Sequence, residues 1–72
     1  MSDDARAAAD WIAAFADRLG VEPPTREEID VLLDLAGVAA HASERIAAPI
    51  ACWLVGRAGM SATAALDLAR RV

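Results

Sequence analysis

Apolar residues return along this chain at three- and four-residue intervals. In the first segment Ala8, Trp11, Ile12, Phe15 and Leu19 follow that spacing, which lays them on one face of a 3.6-residue helix. Asp3 and Asp4 in the first turn suit the positive end of the helix dipole. Gly20 offers a left-handed stop and Pro23-Pro24 forbid continuation, so a helix is predicted over 3–19. Thr25-Arg26-Glu27-Glu28 then reads as a capping box, with Thr25 and Glu28 each satisfying the other's free amide. The second helix, 26–44, carries the stripe Ile29, Leu32, Leu33, Ala36 and Ala40. Pro49 fits the first turn of a third helix, 48–58, where its missing N–H is not needed. With Ile50, Trp53, Leu54 and Val55, this helix is apolar on nearly every side and is expected to be the central, most buried one. Gly56 and Gly59 loosen its end. Ser61 caps a fourth helix, 62–72, with Ala62, Ala65, Leu66, Ala69 and Val72 inward. An Asp67–Arg71 pair stands one turn apart on its outer side.

No segment alternates as a strand does. The expected fold is all-α, a compact bundle of three to four short helices in a single domain over 1–72. At 72 residues, such a domain hides only about 60% of its unfolded surface and is marginal without a partner or a very regular core. One cysteine cannot form an internal bridge, and one histidine beside it excludes the usual Cys/His zinc site. No calcium loop or binuclear Glu-x-x-His pattern occurs, and no glycine-rich phosphate loop follows a strand. Neither a metal nor another cofactor is expected. The longest apolar run, 46–56, is about half the ~20 residues a bilayer requires, and no signal-peptide pattern opens the chain. The expectation is a soluble protein of the reducing cytoplasm.

Charge narrows the partners. The net charge is −4, and no cluster of cations is present to displace phosphate counterions, so nucleic acid is not an expected partner. All seven basic residues are arginine, a bias suggestive of a GC-rich bacterial genome and not of a mechanism.

The candidate chemistry lies on the second helix. On a wheel of 100° per residue, Asp30, Asp34, Gly37, His41 and Arg45 share one narrow stripe, the polar strip of an otherwise apolar helix. Such a strip is either a solvated edge or a contact surface for an anion, a cofactor edge or a protein. Arg45 has Glu44 or a helix-end carbonyl to pair with. As a general base, His41 needs an orienting carboxylate and a substrate within hydrogen-bond reach. Asp34 stands two turns away, about 10 Å along the axis, too far for that role. A structural or interfacial histidine is the simpler reading. Cys52, between Ala51 and Trp53, reads as a small buried hydrophobe and not as a reactive thiolate. Trp11 and Trp53 are expected in the core, although an indole at a rim is also a common binding hot spot. Gly37 costs ~1 kcal/mol relative to alanine in mid-helix; either another backbone approaches it closely or it is simply tolerated.

The run Asp10-Trp11-Ile12, Leu19-Gly20, Leu33-Asp34-Leu35-Ala36, Ala40-His41 and Arg45 before Ala47-Ala48-Pro49 resembles a small actinobacterial helical domain family of unknown function. Its pattern is Ala-His-x-x-x-Arg-Pro-Ala-Ala-Pro followed by an apolar helix and a glycine. This chain departs from it at Ile46, where the pattern has proline, and at Gly37, where a longer polar residue is common. Members occur alone or joined to a guanylyltransferase-like domain of molybdenum-cofactor biosynthesis. The resemblance implies an accessory role near molybdoenzyme maturation and supplies no catalytic residue.

The expected function is therefore a non-catalytic interaction module, with Asp34, His41, Arg45 and the Pro49 elbow in its contact surface. Its expected partner is a protein, a molybdenum-cofactor enzyme or its maturation factor, or a second copy of the chain. The rival readings are a small anionic-ligand or enzyme site at His41 and Arg45, and a purely structural homodimer.

Overall fold

The computed structural model describes residues 2–72, with side chains from Ala7 onward. Four helices follow in order, α1 (Ser2–Leu19), α2 (Arg26–Ala42), α3 (Ala47–Ala58) and α4 (Ala62–Ala69), with no strand among the described residues. The protein is all-α. The side chains of Asp3 and Asp4, assigned above to the dipole of the first helix, lie outside the described residues.

Local chemistry sets each boundary. At the end of α1, Gly20 N–H donates to Asp17 C=O at 3.1 Å and Val21 N–H to Ala16 C=O at 3.0 Å. These are the two bonds of a Schellman motif, which needs a left-handed residue between them. Gly20 supplies it at φ 76°, a region where any Cβ is crowded. The capping box of α2 is complete: Thr25 N–H donates to Glu28 Oε1 at 2.7 Å, and Glu28 N–H to Thr25 Oγ1 at 3.0 Å. Ser61 Oγ accepts from Ala64 N–H at the start of α4, and Gly59 turns the chain out of α3 at φ 67°. α2 stops at Ala42, short of the predicted 44, and α4 at Ala69, short of 72. The break before α3 is sharp even with Ile46 in place of proline. The Glu44 and Arg45 carbonyls take the Ala47 and Ala48 amides at 2.9 and 3.1 Å, and Pro49, next in line, has no amide to satisfy. α3 therefore starts without a side-chain cap.

The packing corrects three expectations. First, α2, and not the third helix, is central: it packs against both α3 and α4, and α1 shares no seam of that extent among the described residues. No α3 residue is fully buried. A helix placed between two neighbours must be apolar over a wide arc, and α2 meets that demand. Secondly, its buried line is Leu35, only 2% exposed, flanked by Val31 and Val38. The expected stripe is turned away from that line by about a third of a helical turn. Ile29, Leu32, Ala36 and Ala40 end half-buried, and Leu33 stands exposed. Around Leu35 close Ala51, Cys52 and Val55 of α3 and Ala65, Leu66 and Ala69 of α4. Thirdly, both tryptophans lie outside the core, Trp11 at 64% and Trp53 at 58% exposure, and Val72 projects fully into solvent.

Candidate functional site

The polar strip divides when folded. Asp30, Asp34 and His41 are exposed on the side of α2 turned away from Leu35, and Arg45 lies beyond the end of α2, in the turn before α3. Asp34, Gly37 and His41 line one wall of an open concavity of about 650 Å³, shared with Leu33, Val38 and Ala42 of α2 and with Arg70, the C-cap of α4. Arg70 is a neighbour the helical wheel cannot show, because it arrives through the α2–α4 packing. Among the described residues no hydrogen bond or ion pair joins Asp34, His41, Arg45 and Arg70; the ion pair that does form is Asp67–Arg71, at the exposed end of α4. Nor is there a group of three or more His, Cys, Asp or Glu side chains able to hold a metal ion among the described residues. Gly37 faces open space: a Cβ built there meets nothing within 4 Å among the described residues, so none of their backbone approaches it closely.

Pro49 belongs to a different surface. It borders a groove of about 720 Å³ between the end of α2 and one side of α3, lined by Ala39, Ile46, Ala47, Ile50, Ala51 and Leu54 with Ser43 and Glu44 as its polar members. This lining follows from the way α3 is rolled. Ala51, Cys52 and Val55 face α2, so Ile46, Ile50, Trp53 and Arg57, at i, i+4, i+7 and i+11, are turned outward. Ile46 is 73% exposed and Ile50 60%. The Arg57 guanidinium stands over the Trp53 ring, 5.1 Å from its centroid, a cation–π contact one turn along the helix. A helix with apolar residues on both sides and one neighbour to cover them leaves the second side bare.

α1 presents a comparable face. Ala16 is buried and Ile12 half-buried, but Trp11, Phe15 and Leu19 are exposed. The rings of Trp11 and Phe15 lie 5.1 Å apart, tilted by 35°, and stiffen each other. Among the described residues the buried hydrophobics are Ala16, Leu35, Ala65 and Leu66. All three aromatic side chains thus lie outside, and the buried positions hold only leucine and alanine, a small core for a chain with so much apolar surface. Cys52 packs half-buried against the Leu35 cluster as a free thiol. Of these surface residues, the sequence singled out Pro49 and the indoles; Ile50 and Leu54 were expected in the core, and Ile46 stood out only as a departure from the family pattern. The available signal was the width of the apolar arc of α3, too wide for one neighbour.

Fold and surface together define a small all-α protein whose distinguishing feature is uncovered apolar helix face and not a polar pocket. The chain belongs to the family described as a domain of unknown function, DUF6457, whose model matches residues 3–72. No curated protein and no solved structure matches it. No helix of the described residues is long and apolar enough to cross a membrane.

Proposed function

We propose that this protein is a non-catalytic interaction module whose apolar helix faces are completed by a protein partner. The observation that carries this reading is the outward stripe of α3, Ile46, Ile50, Trp53 and Leu54, every member more than half exposed. Contiguous exposed apolar surface of this kind marks association sites, and an aromatic anchor beside aliphatic residues is the usual composition of a hot spot. Pro49 and Arg45 flank this stripe, whereas Asp34 and His41 fall on the separate concavity. The resemblance to domains joined to a molybdenum-cofactor guanylyltransferase-like domain supports a molybdenum-cofactor enzyme or its maturation factor as the partner class, in the cytoplasm. Affinity capture from a native lysate with the wild-type chain and with Ile50→Asp tests the reading. A protein retained by the wild type and lost by the variant is the expected result. A chain that is strictly monomeric and retains nothing overturns it.

A second reading has its own observation, the opening shared by His41 and Arg70. Two potential cations facing one concavity are the minimum for holding a small anion, with Arg70 in the place that the sequence assigned to Arg45. Phosphate titration followed by the His41 ring resonances decides this reading. Saturable shifts that His41→Ala and Arg70→Ala abolish support it, and unchanged resonances dismiss it.

A further inference from the structure

The uncovered faces of α1 and α3 are matched in shape and length, and each chain carries one of each. On α1 the ridge Trp11–Phe15–Leu19 runs at i, i+4, i+8. Beside the groove of α3 the ridge Ile46–Ile50–Leu54 does the same, and all six residues are about half exposed or more. Each ridge spans about 12 Å of helix axis, and two i±4n ridges interdigitate in the commonest mode of helix packing, crossing at about −50°.

The exposed area also has the size that a dimer needs. A compact monomer of 7.5 kDa exposes about 4,200 Å². This chain exposes 5883 Å², about 1,600 Å² more than that scaling allows. A standard interface takes about 800 Å² from each partner, so the excess on one chain suffices for two contacts of that size.

We propose that the occupant of both faces is a second copy of this chain: the Trp11–Phe15–Leu19 ridge of α1 seats against Ile46, Ile50 and Leu54 of its partner, and the reciprocal contact forms around a two-fold axis. A two-fold pair covers a ridge and a groove on each copy with one surface type. A different protein would have to supply both shapes itself. This inference rests on the interaction-module reading and names the partner of the same α3 surface.

Sedimentation equilibrium of the full chain, with Phe15→Asp and Ile50→Asp, tests it. The wild type is expected at twice the 7.5 kDa chain mass, and each variant alone at the chain mass. An equimolar mixture of the two variants regains dimer, because the heterodimer places both substitutions in one contact and leaves the other intact. A wild type that is monomeric throughout the concentration range overturns the dimer. So does a mixture that stays monomeric, since the pairing would then not be ridge to groove. If the wild type is monomeric yet captures a different protein through Ile50, the module reading survives and only the self-partner is lost. Should either variant fail to fold, Trp11 emission in a Trp53→Phe background replaces it. A blue shift with rising concentration supports burial of the ridge, and an invariant spectrum overturns it.

Discussion

Leu35 and Leu33 stand two positions apart on the same helix, yet they differ more than any other pair of leucines in the molecule. Leu35 is 2% exposed at the junction of three helices, and Leu33 is 65% exposed. Leu35→Ala is expected to cost about 2–5 kcal/mol, because the eight residues packed around it cannot collapse into the space it leaves. Leu33→Ala should stay within about 0.5 kcal/mol, as surface changes do. Urea denaturation of the two variants separates them, and equal losses would mean that the α2 seam is wrongly rolled. Thr25→Ala removes the Oγ1 acceptor of the capping box and should cost about 1 kcal/mol by the same measurement. That cap was legible in four consecutive letters, because both of its partners lie within one turn. The exposure of Leu33 was not, since it depends on which arc of α2 meets neighbours contributed from residues 47 onward.

At the scale of elements, two glycines with the same open surroundings have opposite roles. Gly20 holds the left-handed residue of the Schellman motif, and a side chain there would be strained although it touches nothing. Gly20→Ala should therefore destabilise by about 1 kcal/mol or more. Gly37 lies inside α2 with ordinary helical geometry and open space at its Cβ, so Gly37→Ala should stabilise by up to about 1 kcal/mol. Thermal unfolding of both variants should show melting temperatures moving in opposite directions. A loss of stability at Gly37 would mean that something approaches that face of α2 in solution. Punctuation by Gly20, Pro23-Pro24, Thr25, Pro49, Gly59 and Ser61 placed all four helices to within a few residues, because start and stop chemistry is local. The roles of the helices were not readable in the same way. Apolarity all round α3 suggested burial, yet that helix meets α2 on one side only.

At the scale of the molecule, four buried hydrophobic residues among the described side chains and a set of exposed Trp, Phe, Ile and Leu side chains describe a fold whose stability is tied to association. If a second copy covers those faces, the melting temperature should rise with protein concentration, as mass action requires of anything bound only by the folded state. Phe15→Asp should flatten that dependence. Calorimetry over a hundredfold range of concentration checks both expectations, and a wild-type melting temperature independent of concentration contradicts them. The candidate polar site was only partly legible at this scale. The wheel set Asp34 and His41 on one stripe, which is exposed when folded, but it could not bring Arg70 beside them or carry Arg45 away to the α3 turn.

The sequence by itself determined the helical class, the four segments and their caps, since periodicity and hydrogen-bond chemistry act within a turn or two of the chain. It also excluded a disulfide within these 72 residues, by cysteine count alone. Only the tertiary structure decided that α2 is the centre, that Leu35 is its buried point, and that both tryptophans face outward. An apolar arc wider than one neighbour leaves several ways to roll a helix. The choice among them is made by the packing of segments distant in sequence, where no local pattern reaches.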